Sequence, residues 1–303
     1  PSSAIAFTFT SRAAPLFRPP WRRFSFWTIA IILPFILLFM SSITDENTLV
    51  ANGYSFFPKK FSLASYSYII KSGGQILKAY GVSIGVTVVG TLLNVLLSAL
   101  MAYPLSVKNL PGRNVMMFFV FFTMLFNGGI VPSYIMWTGT FHIKDTIFAQ
   151  LLPNFLLSAW NVMMIRTYFT TSIPDGLYEA AEIDGASQFT IFWKIVLPLG
   201  KPILVTMGTF AGLAYWNDWT NGLYYIVKNT GLYNVQNLLN QMVQNIQFLT
   251  QSSNSNVTAA ASTIPATGIQ MAIAFVAILP IMLIFPSFQK YYAKGIALGA
   301  VKG

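Results

Sequence analysis

Apolar runs long enough to matter to a bilayer alternate with short polar stretches along most of the chain. The runs fall at about Phe24–Met40, Tyr80–Tyr103, Val115–Phe126, Ile147–Phe169, Leu199–Trp219 and Ile269–Phe285. A helix needs roughly 20 apolar residues to cross a membrane. The pattern therefore predicts an all-α polytopic membrane protein with six transmembrane helices. Pro34 predicts a kink in the first span. Asn127-Gly-Gly-Ile-Val-Pro132 interrupts the third. A helix broken inside the membrane would resume at Ser133 and finish the crossing near Trp137; a loop end reads equally well. Gly81, Gly85 and Gly90 on the second span, and Gly208 and Gly212 on the fifth, predict close helix packing.

The polar stretches divide the rest. Residues 1–23 read as a cytoplasmic tail, with Arg12, Arg18, Arg22 and Arg23 before the first span. A basic start before an apolar run also describes a signal peptide. No small-x-small site follows Met40, so an uncleaved span is expected. Residues 44–78 mix Lys with Tyr and Phe and read as an external segment along the membrane surface. Residues 104–113 form a short internal loop. Residues 222–266 are rich in amides and hydroxyls and read as a long external loop. Within it, Asn237 to Leu249 places Leu238, Met242, Ile246 and Leu249 on one helical face. Residues 289–303 form a short basic tail. The six-helix domain thus spans 24–288.

Composition strengthens this reading. Apolar residues make up 55% of the chain and charged ones only 9%, where soluble chains carry about 25% charged residues. A net charge of +10 would suit nucleic acid in a soluble protein. Here topology explains it, and no nucleic-acid partner is expected. Twelve of the 18 Lys and Arg residues fall in the tails and in or beside the second and fourth loops, which places both termini in the cytoplasm. The absence of Cys excludes thiolate chemistry and thiolate metal sites, and no other metal cluster is visible. His142, beside Lys144 and Asp145, reads as a loop residue.

One polar stretch stands apart. Four of the eight acids lie between Asp175 and Asp184. Asp175 or Ser172 is placed to cap a helix, Pro174 suits its start, and Gly185 suits its end. Leu177, Ala180, Ala181 and Ile183 would form an apolar stripe, leaving Glu179, Glu182 and Asp184 charged. A second short helix, near Ser187–Ile195, would lead to Pro198, which stops it before the fifth span. This is a helix-turn-helix on the cytoplasmic surface, and its alanines offer a close-approach face. Composition alone would make it a solvated loop helix without a partner.

The spacing adds more. Glu179-Ala-Ala, three residues, Gly185, nine residues, Ile195-x-Leu-Pro198 resembles the EAA signature of permease subunits in bacterial ABC importers, complete at each signature position. The six spans and the end Phe288-Gln-Lys-Tyr-Tyr-Ala-Lys-Gly-Ile-Ala-Leu-Gly-Ala-Val-Lys-Gly303 are similar to the carbohydrate-uptake branch that includes the smaller maltose permease subunit. Asn127-Gly-Gly-Ile-Val-Pro132 resembles a sub-branch for complex oligosaccharides, alginate-type importers among them. The resemblance implies a multi-pass subunit of the bacterial inner membrane. It implies a homologous second permease, two ATPase subunits that bind ATP and Mg, an extracytoplasmic solute-binding protein and an oligosaccharide substrate. Glu179, Ala180, Ala181, Asp184, Gly185, Ile195, Leu197 and Pro198 would then couple the chain to the ATPases. The C-terminal tail would also reach that interface, and 222–266 would face the binding protein.

No cofactor is expected in this chain. Gly200-Lys201 lacks the upstream glycine spacing of a phosphate-binding loop and is followed by Pro202. No catalytic carboxylate pair or hydrolase elbow is visible, so no catalytic residue is assigned. Asn94, Asn127, Asn161, Tyr215, Trp216, Asn217, Asp218 and Gln270 are candidates to line a pathway. Each of the polar ones equally suits a hydrogen bond to a neighbouring helix. A stand-alone secondary sugar transporter is the alternative, and it would show internal repeats and buried carboxylates. A membrane enzyme acting on glycans would need a polar catalytic cluster. Neither pattern is visible.

Overall fold

A computed structural model describes residues 20–71, 73–251 and 265–300. The expected tail at 1–19, the middle of the external loop at 252–264 and the end at 301–303 lie outside the described residues. Helix α1 spans Pro20–Ser42, α2 Glu46–Asn52, α3 Ala64–Lys71 and α4 Gly73–Ser106. Helix α5 spans Arg113–Leu125 and α6 Ile130–Thr140, the latter ending in a wide π-turn. Helices α7 at Phe148–Leu151 and α8 at Ala159–Ser172 follow. Then come α9 at Asp175–Ile183, α10 at Gln188–Leu199 and α11 at Lys201–Asn217. Helix α12 at Thr220–Tyr225, α13 at Val235–Gln251 and α14 at Ala266–Ala300 complete the order. The described residues are helical throughout, apart from turns and one isolated bridge between Thr44 and Phe61.

Helices α4 and α14 are each long and apolar enough to cross a membrane, the latter over Ala266–Leu283. Their outer faces carry Leu77, Ile84, Val88 and Leu92, and Met282 and Leu283, all exposed. Helix α5 exposes Phe118, Phe119, Phe121 and Phe122 in the same way. Apolar surface on this scale belongs in contact with lipid or another chain rather than water.

Two cores sit at opposite ends of α4. Its 34 residues run about 50 Å at 1.5 Å per residue. The first core joins Ile76 and Ala79 of α4 to Tyr225, Leu238, Ile269 and Ile273. The second joins Ala102 and Leu105 to Val162, Phe169, Ile191 and Phe192. Between them α11 packs along α4, with Gly208 against Val95 and Gly212 against Thr91. The external segment is tied to the last helix: Glu46 accepts from the backbone N–H groups of Thr267 and Gly268 at 2.9 and 2.8 Å. Those are unpaired donors at the start of α14, where a carboxylate is favoured.

Several expectations are corrected. Helix α1 starts at Pro20, four residues before the expected start of the first apolar run. Helix α4 starts at Gly73, which takes the end of the expected external segment into the span. Lys78 lowers local hydropathy there, but Ile76, Ala79, Ser83 and Val86 form one buried face. The third span does break, at Asn127–Gly129, and a 109° bend keeps α6 from continuing the crossing in line. The fourth span is not one helix. It breaks between α7 and α8, where Pro153 lacks an N–H and Asn154 has φ +67°. The helix after Ser187 does not stop at Pro198; it runs to Leu199, and a 79° bend follows before α11. Gly81 and Gly85 face no other part of the chain, whereas Gly90 lies under the Tyr215 ring. Helix α14 continues through the expected tail to Ala300.

Candidate functional site: the seated surface helix and the broken span

Local sequence builds α9. Pro174 takes the N-cap position in extended conformation, and Asp175 occupies the first turn, where an acid suits the helix dipole. Neither Asp175 nor Ser172 caps with its side chain: Ser172 ends α8, and Asp175 pairs with Lys108 of the 107–112 loop. At the other end Gly185 has φ +76°. Its N–H donates to Glu182 O at 3.0 Å, and the Ala186 N–H donates to Ala181 O at 2.9 Å. This pair of bonds is the Schellman stop, which needs a left-handed residue. Ser187 then opens α10, its Oγ accepting from the Thr190 N–H at 3.2 Å.

The helix is seated by one narrow face. Ala181 is buried, and Tyr178 is half-buried with its ring 6.4 Å from that of Tyr103 on α4. Burial pushes the Tyr178 hydroxyl above its ordinary value. Gln188 joins the two layers: it accepts from Tyr103 Oη at 2.5 Å and donates to Glu182 Oε1 at 2.9 Å. Ile195 and Leu197 are half-buried around the same core, and Pro198 is exposed.

The opposite face is open. Glu179, Ala180, Asp184 and Gly185 are exposed. Ile183 is 86% exposed, so the expected apolar stripe splits: Ala181 faces inward and Ile183 outward. Phe189 and Trp193 of α10 extend this surface, and sequence reasoning missed them. Their signal was a period-four pair of large aromatics on a short helix that has no room to bury both.

The second constellation is the break between α7 and α8. Its carbonyls lose helical partners, and buried side chains replace them. Tyr215 Oη donates to Leu151 O at 2.9 Å, Asn221 Nδ2 to Pro153 O at 3.1 Å, and Asn94 Nδ2 to Phe155 O at 2.6 Å. Asn161 Nδ2 completes the set by donating to Asn94 Oδ1 at 2.7 Å. Irregular backbone at this depth is tolerated only when protein covers and pairs it.

Comparison with known proteins decides the family. Residues 81–298 match the binding-protein-dependent transport system inner membrane component family. The chain belongs to that family. It is 36% identical over 272 residues to Protein LplC of Bacillus subtilis, covering 90% of each chain. It is also 36% identical over 277 residues to the polygalacturonan/rhamnogalacturonan transport system permease protein YtcP of Bacillus subtilis, covering 91% of this chain and 94% of that one. Among solved structures it resembles a chain of a bacterial ABC transporter involved in the import of the acidic polysaccharide alginate. That likeness has a TM-score of 0.75 at 25% identity and covers 90% of this chain and 95% of that one. An inner membrane component of this family is a transport permease and not itself the catalytic subunit.

The remaining polar candidates of the permease scatter. Asn127 is exposed at the α5–α6 bend, where its Oδ1 accepts from the Gly129 N–H at 2.8 Å. Trp216 is buried, its ring 6.3 Å from that of Tyr80, and its indole N–H has no partner among the described residues. Asn217 is exposed beside it, and Gln270 is half-buried near the start of α14. Asp218 is 5% exposed. Its Oδ1 accepts from the Thr220 N–H, the Thr220 hydroxyl and the Asn221 N–H at 3.0, 2.7 and 3.2 Å. Oδ2 has no partner. Gln150 and Asn234, which sequence reasoning did not single out, join it: Asn234 Nδ2 donates to Gln150 Oε1 at 2.9 Å and to Asp218 O at 2.6 Å.

Proposed function

We propose that this chain is the membrane-spanning subunit of an ATP-driven importer. It would take oligosaccharide from an extracytoplasmic solute-binding protein and pass it to the cytoplasm. The observation that carries the coupling step is the one-sided seating of α9. Ala181 and Tyr178 fix it to the spans, while Glu179, Ala180 and Gly185 stay open to a partner. A rigid lever of this kind transmits the movement of an ATPase into the bundle, because α9 and α10 share one core with α4 and α8.

In this reading the helices make six crossings, with both termini and α9 in the cytoplasm. A homologous second permease completes the pathway. Two ATPase subunits bind ATP and Mg; this chain holds no nucleotide site of its own. The names of YtcP and of the alginate transporter support an oligosaccharide substrate, and acidic oligosaccharides of the alginate type are the first to test.

The test is capture of an ATPase by the tagged chain in detergent, with wild type beside Glu179→Arg and Gly185→Asp. Wild type is expected to bring down an ATPase and both variants to lose it. Wild type purified without an ATPase, or variants that retain it unchanged, would overturn the coupling role and return a secondary transporter to consideration.

A further inference from the structure

A cavity of about 250 Å³ opens between α13 and α14, at the end of the molecule away from α9. Helix α11 separates the two regions: its 17 residues span about 25 Å. Trp219 forms one wall, Gln236 and Asn240 of α13 set two amides in another beside Leu239 and Val243, and Ile273, Ala274 and Ala277 of α14 line the rest. The volume is just under the roughly 300–1,000 Å³ of common ligand pockets. It suits one sugar ring of a longer chain.

The Trp219 backbone is held and its indole is left open. Trp219 is 42% exposed, although Asp218 before it and Asn221 after it are buried. Its backbone carbonyl accepts from Asn237 Nδ2. The Asn237 N–H in turn donates to Asn234 Oδ1 at 2.8 Å, within the buried network around Gln150. A large ring on a fixed backbone loses little entropy when it meets a ligand. Gln236 and Asn240 are four residues apart and share one face of α13. Gln244 donates to Asn240 Oδ1 at 3.1 Å, which orients that amide, and its N–H donors meet no acceptor among the described residues.

We infer that this cavity is a sugar subsite, in which one pyranose ring lies on Trp219 and its hydroxyls pair with Gln236 and Asn240. A pyranose has an apolar C–H face for the indole and hydroxyls for the amides. A lipid chain would leave both amides unpaired, at a cost. No acid or base lines the cavity, so it reads the ring and its hydroxyls and is indifferent to a carboxylate. This inference rests on the reading of the chain as an oligosaccharide permease.

The experiment uses the assembled importer in proteoliposomes, with uptake of trigalacturonate and of the neutral trimer galactotriose. Trp219→Leu and the pair Gln236→Leu with Asn240→Leu should each lower uptake kcat/KM about tenfold for the sugars carried. Trp219→Phe should keep most of it, and ATPase capture should not change. Because the chain has no Cys, Ala274→Cys adds a single thiol to the purified chain. Its modification by a methanethiosulfonate should slow severalfold with galactotriose present. Uptake that survives Trp219→Leu, or a thiol slowed by added phospholipid and not by sugar, overturns the subsite while the permease reading stands. Wild type that carries neither trimer and captures no ATPase overturns both.

Discussion

The ring of Tyr215 lies directly on Gly90: a Cβ at residue 90 would sit 2.4 Å from Tyr215 Cζ. Helices α4 and α11 meet there, and the same Tyr215 hydroxyl reaches Leu151 O at the broken span. One contact therefore fixes a helix pair and pairs a stray carbonyl. Gly90→Ala is expected to cost about 1–3 kcal/mol or more through overpacking. Gly90→Ala combined with Tyr215→Leu should lose less than the two single changes added together, as thermal unfolding in detergent would measure.

Asn94 is the hub of the break between α7 and α8. Asn94→Leu removes the partner of Phe155 O and of the Asn161 amide at once. Each buried group left unpaired costs about 1–3 kcal/mol. The expected outcome is a lower unfolding temperature and faster proteolysis at 152–158. A transport defect with unchanged stability would instead mean that Asn94 meets substrate.

Asp218 is buried, and its Oδ1 takes donors from Thr220 and Asn221. Asp218→Leu leaves those donors unpaired and should lower the unfolding temperature in detergent, each lost partner costing about 1–3 kcal/mol. Asp218→Asn keeps an acceptor in that place and should lose less.

Phe189 and Trp193 are exposed beside α9 and make little contribution to the fold. Phe189→Ser with Trp193→Ser should shift stability by no more than about 0.5 kcal/mol per site. ATPase capture should nevertheless fall. Equal loss of stability and capture would place both rings in the core.

Gly185 needs its left-handed backbone and nothing else: no atom lies within 4 Å of a Cβ placed there. Gly185→Ala should cost about 1–2 kcal/mol from backbone strain alone. Gly185→Asn should cost less, since Asn tolerates this region. Circular dichroism with thermal unfolding separates the two.

Legibility followed the range of the forces involved. The ends of α9 were readable because Pro174 and Gly185 act on their own backbone. The fourth span was misread because hydropathy averages over Pro153 and Asn154, although both residues carried the warning. The stripe on α9 was misread because a short helix on a surface buries only the face its seat can reach, and Tyr103 and Phe192 set that face.

The sequence by itself determined the all-helical membrane class, the surface helix and its stop. These rest on hydropathy and on backbone preferences within a few residues. Tertiary structure alone decided which polar residues serve the fold. Asn94 is 61 residues from Phe155, and Gln150 is 84 from Asn234. A carbonyl freed by a break must find a donor, and only the packing of distant helices determines which side chain lies near enough to supply it.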